Sequence, residues 1–115
     1  LTFVALAGDE PVGMCSLREN DGIKPDFIYK QLSEDALSKM GWLGTLVVTS
    51  AYQKQGIAQT LIDAVKNKAQ ELGLEKLYLF AFDPTIPEYY ARLGWRTIGT
   101  DEFADKPVTV MELCQ

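Results

Sequence analysis

Apolar and polar positions change rhythm along this chain, and each change marks an element. Between Gly44 and Leu72 (GTLVVTSAYQKQGIAQTLIDAVKNKAQEL) an unbroken apolar run, Leu46-Val47-Val48, gives way to a polar stretch ending in Gly56. The run is the pattern of a short strand covered on both faces. From Ile57 the apolar residues fall at Ile57, Leu61, Ile62, Val65, Ala69 and Leu72, which is one face of a helix. Asp63, Lys66, Lys68 and Glu71 lie off that face, and Gly73 is placed to stop the helix.

The rest of the chain is arranged around this strand–turn–helix. Leu1 to Leu6 and Val12 to Leu17, joined through Gly8-Asp9-Glu10-Pro11, predict a β-hairpin. Arg18 to Asp26 is polar and reads as a loop. Phe27 to Met40 has room for a short helix after Ser33, with Glu34 and Asp35 in its first turn, and is expected to face substrate. Asp21, Asp26, Glu34 and Asp35 in this region read as solvated charges. Trp42 stands at the entrance of the central strand and is expected to pack on the core. Lys76 to Phe82 (KLYLFAF) is a third apolar strand, and with Leu43–Val48 and the long helix it makes a βαβ crossover. A short helix follows, with Thr85 and Glu88 as a capping box and Gly94 as its stop. Trp95–Gly99 and Val108–Leu113 then pair as a hairpin around Asp101 to Pro107. The whole, residues 1–115, reads as one α/β domain with a mixed sheet.

Composition narrows the chemistry. The chain has 115 residues, 47% hydrophobic and 23% charged, ordinary for a globular domain. Its net charge of −5 argues against nucleic acid as a partner and suits a cationic substrate such as an amine. No apolar run approaches the ~20 residues of a membrane span, and no basic leader is visible, so a cytoplasmic location is expected. Cys15 and Cys114 lack metal-ligand spacing and read as free core thiols, and no metal is expected. Histidine is absent, which excludes a His triad, a His metal site and a His base in this chain.

A strand that feeds a helix through a glycine turn aims unpaired N–H groups and the positive end of the helix dipole at one point, an anion site that suits phosphate. Gly56 removes a side chain there, Ala58 keeps the next turn small, and Lys54 can add a charge. Neither a P-loop nor a dinucleotide fingerprint is present. The same pattern also fits a helix that is merely well capped.

Gln53-Lys54-Gln55-Gly56-Ile57-Ala58 resembles the Q/R-x-x-G-x-G/A signature of the GNAT superfamily of N-acetyltransferases, whose turn binds the pyrophosphate of acetyl-CoA. Tyr90-Ala91-Arg92-Leu93-Gly94-Trp95 is similar to that family's Y-x-x-x-G-F/W element. The resemblance runs from Phe3 to Leu113 and is nearest the small-molecule branch. It implies a mixed, mostly antiparallel sheet, shortened at its N-terminus by a strand and one or two helices that form a wall of the acceptor site. It also implies that the central strand splays open, so that Leu46, Val47 and Val48 meet pantetheine, with the Val48 N–H a candidate oxyanion donor. Gln53, Lys54, Gln55, Gly56, Ile57 and Ala58 would hold the pyrophosphate. Asp83 stands where many members have Asn and is taken as a further donor contact. Tyr90 would be the general acid, and the adjacent Tyr89, about a hundred degrees away on a helix, is the weaker candidate.

In that role the residues make chemical sense. A phenol near pKa ~10 is matched to protonating a departing thiolate, and an amine of similar pKa is roughly 4 kcal/mol from deprotonation at neutral pH. The expected function is therefore acetyl transfer from acetyl-CoA to a primary amine of a small molecule. The alternative is a non-catalytic acyl-CoA-binding sensor or interaction module of the same fold. An exposed sheet edge also raises the expectation of a homodimer.

Overall fold

The computed structural model describes residues 1–18, 25–30, 32–82 and 86–114, the side chains of Thr45 and Ile86 excepted. Asp21, Asp83 and Thr85 lie outside the described residues. The elements run β1 (Thr2–Ala7), β2 (Glu10–Arg18), α1 (Asp26–Tyr29), α2 (Glu34–Ser38), β3 (Met40–Val48), a single 3₁₀ turn (Ser50–Tyr52), α3 (Ile57–Glu71), β4 (Lys76–Ala81), α4 (Ile86–Ala91), β5 (Arg96–Phe103) and β6 (Lys106–Cys114). They form a six-stranded sheet in the order β1-β2-β3-β4-β6-β5. Every neighbouring pair is antiparallel except β3–β4, which α3 joins as the βαβ crossover. The sheet is thus mixed and mostly antiparallel, as the resemblance implies.

Two cores lie on opposite faces. On the α3 face Leu61, Ile62, Val65 and Ala69 of the helix pack on Cys15, Leu43, Leu77 and Met111 of the sheet, together with Tyr90 and Trp95. On the other face Ile28 of α1 packs on Met40, Trp42, Tyr78, Val108 and Val110. Trp42 is fully buried, and its Nε1 donates to the Tyr29 hydroxyl at 3.2 Å, which ties α1 to the central strand. Ser33 caps α2 by accepting from the Ala36 N–H at 3.1 Å, as its position ahead of two acids predicts. Asp26 and Asp35 are solvated charges, paired with Lys30 and Lys39 at the surface.

Four expectations need correction. Val47 is 52% exposed, so the end of β3 is not covered on both faces. The cause is a bulge: Ser16 pairs with Gly44 and Met14 with Val47, so Cys15 alone opposes Thr45 and Leu46. The extra residue turns Leu46 and Val48 onto the α3 core and Val47 outward. The last two strands do not stop at Gly99 and start at Val108, as expected, but take in most of Asp101 to Pro107. Both strands continue to a tight turn at Ala104 and Asp105, whose φ values of 51° and 64° suit a two-residue hairpin without the usual Gly or Asn. A four-residue helix, α1, precedes the one foreseen after Ser33. Cys114 is exposed rather than core, whereas Cys15 is buried.

Candidate active site

The β3–β4 ladder holds only from Met40↔Lys76 to Trp42↔Tyr78. Beyond it β3 stays paired to β2 through Val48, and β4 stays paired to β6 through Ala81. Each strand keeps its outer partner while the inner edges separate, leaving a gap lined by backbone. The Thr49 N–H donates to the Val12 carbonyl at 2.9 Å, on the β2 side. Alternation along a strand therefore turns the N–H and C=O of Val48 to the opposite edge, into the gap. Gln53 Nε2 donates to that carbonyl at 3.1 Å, and the N–H faces the gap with no acceptor among the described residues.

The turn at the mouth of the gap is built to expose donors. Tyr52 N–H returns to Thr49 O at 2.9 Å, and Gln55 Nε2 folds back to Ala51 O at 3.4 Å. Lys54 and Gly56 then both take left-handed φ, 63° and 81°. Thr60 N–H donates to Gly56 O at 3.0 Å as the first turn of α3 closes. Among the described residues, the successive N–H groups of Lys54 to Gln59 donate to no carbonyl. Left-handed residues in such a turn gather N–H groups into a concavity for anions, and the helix dipole adds to it. No atom lies within 4 Å of where a Cβ on Gly56 would stand, so glycine is required by φ and the space in front of it is open.

A cleft of about 390 Å³ brings together Val48, Gln53, Lys54, Gly56, Ile57 and Ala58. Gln55 is not in its wall, because its amide is turned to the backbone. Leu46 packs into the α3 core, whereas Val47 faces away from it and, by the same alternation, turns its N–H and C=O to β2 rather than to the gap. Asp83 is outside the described residues.

The two tyrosines of α4 part company. Tyr90 is 5% exposed and sits in the α3 core with its ring 5.7 Å from that of Trp95. Burial pushes its phenol well above the ordinary value, with Cys15 and Tyr89 adding to the shift. Tyr90 therefore stays protonated throughout the neutral range, a proton donor and not a base. Tyr89 is 38% exposed and lines the cleft, its ring 5.4 Å from that of Tyr90. The doublet YY on a helix was the available signal for Tyr89, since adjacent helical residues point about a hundred degrees apart and the two rings meet different surroundings.

Residues 1–95 match the model of the Acetyltransferase (GNAT) family. The chain belongs to the GNAT acetyltransferase family. Solved structures share its fold. An aminoglycoside 6'-N-acetyltransferase complexed with coenzyme A has a TM-score of 0.72 at 20% identity, over 98% of this chain and 71% of that one. An aminoglycoside 6'-acetyltransferase type Ii gives 0.73 at 24% identity, over 98% and 67%. A Bacillus anthracis chain described as a streptothricin acetyltransferase, in complex with acetyl coenzyme A, gives 0.75 at 16% identity, over 99% and 61%. No curated protein matches the chain by sequence. At these identities the superpositions establish the GNAT fold and carry no substrate with them.

The GNAT assignment rests on the match over residues 1–95, and the chain displays beside it an opened β3–β4 pair, a donor-rich turn and α3 running from that turn. Among the described residues no group of three or more His, Cys, Asp and Glu side chains converges as a metal site. No described helix is long and apolar enough to cross a membrane.

Proposed function

We propose that this chain transfers an acetyl group from acetyl-CoA to a primary amine of a small molecule by direct attack on the thioester, in the cytoplasm. The observation that carries this reading is that one cleft brings together two sets of backbone donors without partners among the described residues: the Val48 N–H on the inner edge of β3 and the N–H groups of the Lys54 to Gln59 turn. The second suits a pyrophosphate, with Lys54 supplying a charge, and the first suits an extended amide-bearing arm. Acetyl-CoA supplies an activated acyl group when bound.

In this reading the amine nitrogen bonds to the acyl carbon, the C–S bond breaks, and the thiolate leaves with the bonding electron pair. The Val48 N–H stabilises charge building on the acyl oxygen. Tyr90, which packs beside the cleft-lining Tyr89, is the proton donor to the thiolate sulfur in this reading, and its burial keeps it protonated while making it a weaker acid than an ordinary phenol. Among the described residues of the cleft there is no carboxylate, and the chain has no histidine, so in this reading the ammonium proton passes to water. The phenolate that remains on Tyr90 is reprotonated from solvent.

Calorimetric titration with acetyl-CoA, beside a Gly56→Glu variant, tests the reading. Micromolar binding in the parent that is lost in the variant is the expected result, because Glu forces a side chain at positive φ and sets a negative charge in the anion site. A parent that binds no acetyl-CoA, or a variant that binds it as well, overturns the proposal.

A further inference from the structure

The face of the sheet turned away from α3 carries an aromatic cluster that the donor site does not use. Phe80, Phe82 and Phe103 touch one another, with ring centroids 5.8 Å apart for Phe80–Phe82, 5.3 Å for Phe80–Phe103 and 5.9 Å for Phe82–Phe103. Phe80 packs on the core that holds Val108 and Val110, whereas Phe82 is 51% and Phe103 36% exposed. A ring needed only to cover those valines has no reason to leave half its surface in water.

Their position relates the cluster to the gap. Phe82 follows β4 immediately, where β4 has parted from β3, and shares a face with Phe80 by strand alternation. Across the gap, Val47 is 52% exposed on the same face, because the bulge sends Leu46 and Val48 to the other. The gap is thus open to the turn and α3 on one side and to apolar side chains on the other.

Charge distinguishes the occupants. Along β5 the same face shows Gly99 under the Phe27 ring, then Asp101, then Phe103. Asp101 lines a cavity of about 320 Å³ with Asp26, Phe27 and Thr100. Asp26 shares its charge with Lys30, whereas no cation among the described residues pairs with Asp101. Asp101 Oδ1 accepts the Glu102 N–H at 2.7 Å, and its carboxylate, which shares that cavity with the Phe27 ring, attracts a cation to a place where its body meets aromatic surface. Val47, Phe80, Phe82 and Phe103 offer no side-chain hydrogen bond, so a polyhydroxylated amine laid there would lose water without replacement.

We propose that this face binds the acceptor, and that the acceptor is a primary amine carried on an aromatic or alkyl body. The inference rests on the acetyl-transfer reading and adds the substrate class to it. Phe82 and Phe103 are specificity-determining residues, and Asp101 draws the ammonium form to the face.

The test titrates 2-phenylethylamine and the aminoglycoside kanamycin into the protein by calorimetry, with and without saturating coenzyme A, in the parent and in Phe82→Ala, Phe103→Ser and Phe82→Tyr. We expect 2-phenylethylamine to bind at least tenfold more tightly than kanamycin. The preference should vanish in Phe82→Ala and Phe103→Ser and persist in Phe82→Tyr, with coenzyme A affinity and unfolding midpoint unchanged in all three. Amine binding with this preference but no coenzyme A binding supports the face and overturns the acetyl-transfer reading. Equal or reversed preference, a preference that survives both ring deletions, or no amine binding overturns the inference. So does a parent that sediments as a dimer and becomes a monomer in Phe82→Asp, which would make the face a contact between copies.

Discussion

The side-chain amide of Gln53 donates to the carbonyl of Val48 at 3.1 Å, and so the turn that presents the anion site is fastened to the strand that opens the gap. Sequence spacing alone makes Gln53 look like a ligand contact. In the structure it holds two ligand-facing backbones in register. Gln53→Ala should weaken acetyl-CoA binding about fivefold, the worth of one neutral hydrogen bond near 1 kcal/mol, with little change in unfolding midpoint. Calorimetry and a melting curve on the same sample separate the two effects.

Tyr90→Phe removes one oxygen from a packed ring and should leave the fold and acetyl-CoA affinity intact. Turnover should fall about 100-fold or more if its proton reaches the thiolate. Because burial raises its pKa, the parent rate should show no falling limb from this phenol anywhere between neutral pH and about pH 10. Full turnover in the variant, or such a limb that the variant abolishes, would remove Tyr90 from the mechanism.

Glu112 ties three strands together. It is 5% exposed, and its Oε1 accepts from Arg96 at 2.7 and 3.1 Å, while Lys76 lies 3.7 Å from Oε2. Burial opposes its charge, but the hydrogen bonds from Arg96 and Tyr78, the charge of Lys76 and the Cys114 thiol outweigh it and hold the pKa below the ordinary value. A depressed carboxyl pKa contributes stability above the unfolded-state pKa and loses it as pH falls through the folded-state one. Unfolding followed between pH 7 and pH 3 should show this loss on the acid side. Glu112→Gln should flatten that dependence and cost about 1–3 kcal/mol at pH 7, since Arg96 is left largely in solvent.

Gly99 sits beneath Phe27. A Cβ there would stand 2.7 Å from Cζ of that ring, closer than side chains approach. Gly99→Ala should lift α1 off the sheet and destabilise the protein by about 1–3 kcal/mol. Hydrogen exchange should report faster amides at Ile28 and Tyr29 with those of α3 unchanged. Equal protection in the variant would show that the ring moves aside freely.

The two thiols should separate on chemistry. Burial pushes Cys15 up to about 11, against a hydrogen bond at Ser16 that lowers it, whereas Cys114 is exposed. A colorimetric thiol reagent at pH 8 should modify one cysteine per native chain quickly and the second only on unfolding. Rapid modification of both would contradict the packing of β2 against α3.

What the sequence made legible followed from periodicity. The apolar face of α3 was visible in Leu61, Ile62, Val65 and Ala69, and the crossover followed from strands on either side of it. The glycine turn was visible as a possible anion site because Gly56 breaks a polar run. The opening of β3 from β4 was not legible in those residues, because it depends on which edges pair, and only the family resemblance implied it. The bulge at Cys15 was equally hidden: apolar runs do not reveal register, and a one-residue shift exchanged the faces of Val47 and Val48. The last hairpin was foreseen, but its tight turn at Ala104-Asp105 escaped because its left-handed residues are not the ones that usually advertise a turn. Tyr89 and Tyr90 share a spacing argument, and only packing assigned one to the cleft and the other to the core.

The limited β3–β4 pairing makes the sheet two leaves, β1-β2-β3 and β4-β6-β5, stitched at Met40–Trp42 and Lys76–Tyr78. Hydrogen bonding along the free inner edges is left for a visitor to complete, so an extended molecule in the gap acts as a splint between the leaves. Binding then becomes a contribution to folding, about 2.7 kcal/mol at a ligand concentration 100 times its Kd. The gain should register as slowed exchange on the inner edges of β3 and β4, with the outer strands β1 and β5 hardly altered.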